Sequence, residues 1–142
     1  MPDEKPLLTE TSFHVRFAET DQMGVVHHSV YLVYFEEGRS AMSRQHGLPY
    51  SQLEKMGYSL ALSEINIRYA APAYYDELIT VRVWAERILS RGINFGYEVV
   101  RAADGELLAT GQTKQICVDR QGQVRRLPEE WIGPFRTKAG LG

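Results

Sequence analysis

The sequence predicts an α+β domain in which an antiparallel sheet is wrapped around one long helix. Three observations carry this. Apolar residues recur at helical spacing after residue 30, four runs of strict two-residue alternation follow residue 58, and only short turns separate those runs. At 142 residues the chain suits a single domain, 1–142, with a sizeable core, its ends at 1–10 and 136–142 expected to be flexible.

The elements follow in order. Phe13, Val15 and Phe17 alternate with His14 and Arg16, which reads as a short strand with one buried face. A polar loop, ETDQMGVVHHS, comes next. Tyr31, Tyr34, Phe35, Gly38, Ala41 and Met42 then mark the buried side of a long helix, with His28 or Ser29 near its start and His46-Gly47 as its stop. Ser51 to Met56 gives a short second helix closed by Gly57.

From Tyr58 the pattern is strand. Leu60 and Leu62 alternate, the phase slips across Ser63-Glu64, and Ile65, Ile67 and Tyr69 take over, as at a bulge. Ile79, Val81 and Val83 form the next set, and Ile93, Phe95, Tyr97 and Val99 the one after. Asp104-Gly105 is a hairpin turn into a long strand, Leu107 to Val118, and a second turn falls at Arg120 to Gly122. The tail, with Pro128, Trp131 and Phe135, follows no clear period. A lone curved sheet of this size leaves its edge strands open, so pairing with a second subunit is expected.

Composition narrows the function. Apolar residues make up 44% and charged residues 24%, with a formal net charge of −2 spread along the chain. Such a balance argues against nucleic acid, whose backbone demands a basic face, while leaving room for a local basic pocket. Cys117 is the single cysteine, so no internal disulfide can form, thiols are too few for a zinc site, and its apolar run suits a small buried side chain. The opening residues MPDEKPLL lack a secretory pattern and no apolar run reaches membrane-span length, which points to the cytoplasm.

Chemistry concentrates between the first strand and the helix, in Thr20-Asp21-Gln22-Met23-Gly24-Val25-Val26-His27-His28-Ser29-Val30-Tyr31. A helix start offers unpaired N–H groups and partial positive charge, which can polarise a carbonyl and stabilise the oxyanion formed on attack. A neighbouring carboxylate can attack that carbonyl or deprotonate water. Taken alone the pattern is not specific, because loop aspartates more often cap helices or close turns.

The run VRFAETDQMGVVHHSVYLVYFEEGR resembles the N-terminal motif of the 4-hydroxybenzoyl-CoA thioesterase family, especially its YbgC-like acyl-CoA thioesterase branch. INIRYAAPAYYDELITV is similar to a later strand motif of that family, and Ser90-Arg91-Gly92 and Leu127-Pro128 fall at family-like positions. The resemblance spans nearly the whole chain and implies a hotdog fold, dimers joined sheet edge to sheet edge and commonly paired into tetramers, and ligand held at the subunit interface. It implies Asp21 as nucleophile or general base, Gly24 as the turn glycine, and His28 as donor of a backbone N–H to the thioester carbonyl. Val26, His27 and Tyr31 fall on the substrate-binding stretch, with Ser90 and Arg91 as candidates for the CoA end. No metal or redox cofactor is implied, since CoA arrives as part of the acyl-CoA (or acyl carrier protein) substrate. Two departures stand out: the branch usually has Tyr where this chain has Phe17 and Tyr where it has His27.

Other residues have plainer readings. Adjacent His27 and His28 suit a metal poorly, with no third His or Cys close in sequence. Glu36, on the helix, is expected in a buried or interface pair with Arg39, though some hotdog thioesterases use a helix acid. Arg120, Arg125 and Arg126 read as surface charge or a basic rim, and Tyr74, Tyr75 and Trp84 as packing or interface residues. No G-x-S-x-G or glycine-rich phosphate loop occurs. Two rival functions share the fold: an enoyl-thioester hydratase or dehydratase, and a non-catalytic acyl-CoA binding module.

Overall fold

A computed structural model describes residues 5–141. Five antiparallel strands form one sheet in the order β1-β3-β4-β5-β2, with β1 at Thr9–His14, β2 at Tyr58–Tyr69, β3 at Leu78–Ile88, β4 at Gly92–Arg101 and β5 at Leu107–Asp119. Consecutive strands β1 and β2 lie at opposite edges because helix α1, Val30–His46, carries the chain across one face. A second helix, α2, covers Tyr50–Lys55, and a third, α3, covers Glu129–Ala139. Among the described residues no helix is long and apolar enough to cross a membrane.

The helical rhythm read from the sequence is the buried face. Tyr31, Tyr34, Phe35, Gly38, Ala41 and Met42 are buried on α1, which ends where Gly47 turns left-handed. Ile79, Val81 and Val83 on β3 and Ile93, Phe95, Tyr97 and Val99 on β4 complete the core with it. The phase slip in β2 is a bulge between Leu62 and Glu64.

Phe35 stacks on Tyr97 with ring centroids 4.1 Å apart and planes at 10°. Gly111, opposite Tyr97 in the β4–β5 ladder, makes room for this, since a Cβ there would overlap the Phe35 ring. Gly111→Ala therefore forces the stack apart, and overpacking of this kind costs about 2 kcal/mol, readable as a lower midpoint in urea unfolding with unchanged slope.

The structure departs from expectation at Phe17. The first strand ends at His14, and Phe17 is not inward but 75% exposed, in a 3-10 turn over Phe17–Glu19. The turn forms because the Glu19 N–H donates to the Arg16 carbonyl, swinging Phe17 out against the edge of Tyr75. Within the described part of the ends, Thr9 and Glu10 pair with Val83 and Arg82, and residues 136–139 belong to α3; residues 1–4 and 142 lie outside the described residues. The tail is a helix because Trp131, Ile132 and Phe135 bury on one side while the Trp131 indole N–H donates to the Pro49 carbonyl at 2.8 Å. Finally, Glu36 is exposed in the chain, and Arg39 donates to the Tyr97 hydroxyl at 3.0 Å, which itself lies 2.6 Å from the Thr113 hydroxyl.

Candidate active site

The loop between β1 and α1 is built around Asp21. Its Oδ1 accepts the Met23 N–H at 2.8 Å and the Val25 N–H at 3.4 Å, while the Asp21 carbonyl accepts from Gly24 at 2.9 Å. Gly24 sits at φ +81°, a conformation a side chain strains, so glycine closes this turn at little cost. One carboxylate oxygen therefore holds the loop. Oδ2 has no hydrogen-bond partner among the described residues, on a half-buried side chain.

The loop is anchored from both sides. Val26 donates to the Ala73 carbonyl and His27 to the Glu19 carbonyl, each at 2.9 Å. Behind the 72–77 segment, Arg101 reaches Glu77 at 2.8 Å and the Pro72 carbonyl at 3.0 Å. Glu19, only 7% exposed, accepts the Arg16 N–H at 2.8 Å, the Arg16 guanidinium at 2.7 Å and the Tyr34 hydroxyl at 2.9 Å. Burial alone raises its carboxyl pKa, but these donors together outweigh burial and hold it below the usual carboxylate value. Tyr34 responds in the opposite sense, raised by burial and then by the Glu19 charge it faces.

At the helix start the usual cap is missing. Ser29, the N-cap residue, already has helical angles and makes no side-chain bond to the helix. Its hydroxyl lies instead 2.8 Å from Nδ1 of His27, which also accepts the Ser29 N–H at 3.1 Å. No acid occupies the first turn. The His28 N–H has no acceptor among the described residues, while the His28 carbonyl is held by the Tyr69 hydroxyl at 2.9 Å. The end of α1 thus keeps its partial positive charge and an open donor, seven residues after Asp21.

The predicted site residues divide by place. Asp21, Gly24, His27 and His28 share the exposed or half-exposed surface of this loop, and the two imidazoles lie 4.1 Å apart. Val26 and Tyr31 share the stretch, but both side chains are turned inward. Tyr31 packs edge-on between Tyr34 and Tyr69, and burial, with Tyr69 beside it, pushes its phenol up to about 12. Ser90 and Arg91 are not brought to the loop within one chain. They lie in the β3–β4 turn, whereas the loop adjoins the other end of β3 through Val15 and Glu77, about 30 Å away at the rise of an extended strand. There the carbonyls of Ser90 and Arg91 accept from Leu127 and Cys117.

Glu19, Tyr69 and Arg101 were not singled out from the sequence as site residues, although Glu19 and Tyr69 fall inside quoted motifs. Only the first gave a usable signal, as an acid in a loop three residues after a basic residue. Arg120, Arg125 and Arg126 are exposed, Tyr74 and Tyr75 are exposed beside the loop, and Trp84 is buried over Gly96. Among the described residues no three His, Cys, Asp or Glu side chains gather as a metal site.

Known proteins resemble this chain in sequence and in fold. "Putative acyl-CoA thioesterase YneP" of Bacillus subtilis (strain 168) is 37% identical over 128 residues, 87% of this chain and 92% of that protein. Acyl-CoA thioester hydrolase YbgC of Escherichia coli O6:H1 is 25% identical over 123 residues, covering 86% and 91%. The crystal structure of a DHNA-CoA thioesterase from Staphylococcus aureus superimposes with a TM-score of 0.85 at 28% identity, covering 94% of this chain and 89% of that one. Neighbours of this kind make the sheet and its helix a hotdog fold. The family model of the Thioesterase-like superfamily matches residues 15–135, from the end of β1 into α3, and the chain belongs to that superfamily.

Proposed function

We propose that this chain hydrolyses acyl-CoA thioesters to a free carboxylic acid and thiol, with acyl carrier protein as the alternative carrier. One observation carries the reading: a single loop presents a carboxylate with one uncommitted oxygen and, seven residues on, an uncapped helix start with an open N–H. The thioester carbonyl oxygen accepts the His28 N–H, so negative charge developing on it meets the positive end of α1. Asp21 then attacks the carbonyl carbon, or takes a proton from water that attacks it. Either way the C–S bond breaks, the thiol leaves with a proton, and water supplies the hydroxyl of the acid. Gly24 holds the turn, Tyr69 holds the His28 peptide, and His27 and His28 line the exposed side.

Supporting this reading, relatives matching over most of their length are named thioesterases and thioester hydrolases. CoA enters as part of the substrate, and no metal or further cofactor takes part. β2, twelve residues long with its outer edge unpaired in one chain, is the edge we assign to a second copy, giving a homodimer that can pair again into a tetramer in the cytoplasm. Ser90 and Arg91, distant from the loop in their own chain, are then candidates for the CoA phosphates bound at a neighbouring subunit's site.

The test is thiol release from short, medium, long and aromatic acyl-CoAs. Release from any of them supports the reading and ranks the acyl groups. Absence of thiol, with absorbance loss from a crotonyl thioester, would replace hydrolysis by hydration. Tight binding without turnover would make the chain a binding module.

A further inference from the structure

The open His28 N–H belongs to the His27–His28 peptide, and the rotation of that peptide decides where the donor aims. The carbonyl of the same peptide accepts the Val30 N–H at 3.0 Å. Peptide bonds among the described residues are trans, so the N–H lies opposite the carbonyl. With the carbonyl turned into the first turn of α1, the His28 N–H is turned away from the helix. The next peptide, His28–Ser29, is gripped at both ends. Its carbonyl accepts from the Tyr69 hydroxyl at 2.9 Å, and its N–H donates to Nδ1 of His27 at 3.1 Å. Among the described residues every polar group of these two peptides therefore has a partner except the His28 N–H.

The His27 bond differs from the others in what it constrains. It runs from a side chain to the N–H two residues on, so the ring it closes contains ψ of His27 and φ of His28, the two torsions that rotate the His28 N–H. Asparagine and aspartate usually make such a bond, and here an imidazole nitrogen makes it. The imidazole is fixed in turn. Because Nδ1 accepts from the Ser29 N–H, the neutral ring carries its proton on Nε2. The Ser29 hydroxyl lies 2.8 Å from the same nitrogen and makes no cap of its own. His27 is exposed, so its contribution is to local geometry and little to burial.

Resting on the thioesterase reading, we propose that His27 is a positioning residue: its Nδ1, by holding the Ser29 N–H, aims the His28 N–H at the thioester carbonyl. The imidazole acts through the Ser29 peptide and not on the substrate.

Two substitutions separate the nitrogen from the ring. His27→Phe keeps a flat ring to lie against the His28 imidazole, 4.1 Å away, and removes the acceptor. His27→Asn removes the ring and restores an acceptor for the N–H two residues on. Acetyl-, octanoyl- and benzoyl-CoA are compared, and the one turned over fastest by the wild type is used. His27→Phe should lose about fivefold to tenfold in kcat with KM within about twofold, the effect of one hydrogen bond no longer orienting the donor. His27→Asn should recover most of that loss, and both variants should melt close to the wild type. The same acyl-CoA, isotopically labelled at the carbonyl carbon and bound to the Asp21→Asn protein, gives a spectroscopic readout. Its carbonyl stretch should lie below that of the free thioester, move back toward it when His27→Phe is added, and fall again with His27→Asn in its place. A Phe variant with wild-type kcat, or an Asn variant as slow as Phe, overturns the proposal. If no acyl-CoA is hydrolysed, the thioesterase reading fails by itself, and nitrogen NMR of the His27 ring then decides: a neutral ring protonated on Nε2 upholds the bond to Ser29, and one protonated on Nδ1 overturns it.

Discussion

Asp21→Asn should lose at least about a thousandfold in kcat for thiol release while melting within a few degrees of the wild type. Geometry makes asparagine the informative change. The Asp21 carboxylate has two jobs, one oxygen closing the Gly24 turn through Met23 and Val25, the other free. Asparagine keeps an oxygen for the turn and removes only the negative charge and basicity. Alanine removes both, so its loss of activity would mix chemistry with a loosened loop. Comparing the two separates them: Asn as inactive as Ala assigns the effect to the carboxylate, and an Asn variant near wild-type activity would leave Asp21 a turn residue only.

The largest expected effect on stability is at Glu19. Glu19→Ala strands the buried Tyr34 hydroxyl and releases the Arg16 main chain, a loss of about 3 kcal/mol and ~10 °C in Tm. The figure sits at the low end for a buried ion pair because the Arg16 guanidinium is largely in water. Its pH dependence has a definite sign. Because the folded-state pKa is held below the ordinary carboxylate value, the stabilisation is complete above that value and is lost as the pH falls through it toward the lowered one. Melting curves from pH 7 to 3 should show the wild type losing its advantage over Glu19→Gln as acidity rises. Parallel curves would remove Glu19 from the acid response.

Much of the fold was legible because burial on one face leaves a period in the sequence. The α1 face, the inward residues of β3 and β4 and even the Leu62–Glu64 bulge follow from that period alone. Phe17 broke the rule, because a local backbone bond between Arg16 and Glu19 turned the chain before alternation could continue. The C-terminal helix was illegible for another reason: Gly133 and Pro134 stand inside it, so propensity argues against a segment that packing of Trp131 and Phe135 holds.

The site was legible where neighbours in space are neighbours in sequence, from Asp21 to His28. Tyr69 and Arg101 act across gaps that no local pattern records: Tyr69 lies 41 residues from the peptide it holds. Arg91 shows the converse. Its charge and motif position recommended it, but that the Asp21 loop adjoins the opposite end of β3, through Val15 and Glu77, follows only from the folded structure.

That sheet order also bears on how the chain comes to be. Within one chain β1 has only β3 to pair with, and β2 has only β5, the last strand in sequence. As synthesis proceeds from the N-terminus, the complete loop and α1 therefore emerge when β1 is the only strand yet made. Until β5 at Leu107–Asp119 has left the ribosome, β2 has no strand of its own chain to pair with. The chemistry-bearing segment is thus made before four of the five strands of the sheet beside which it is held.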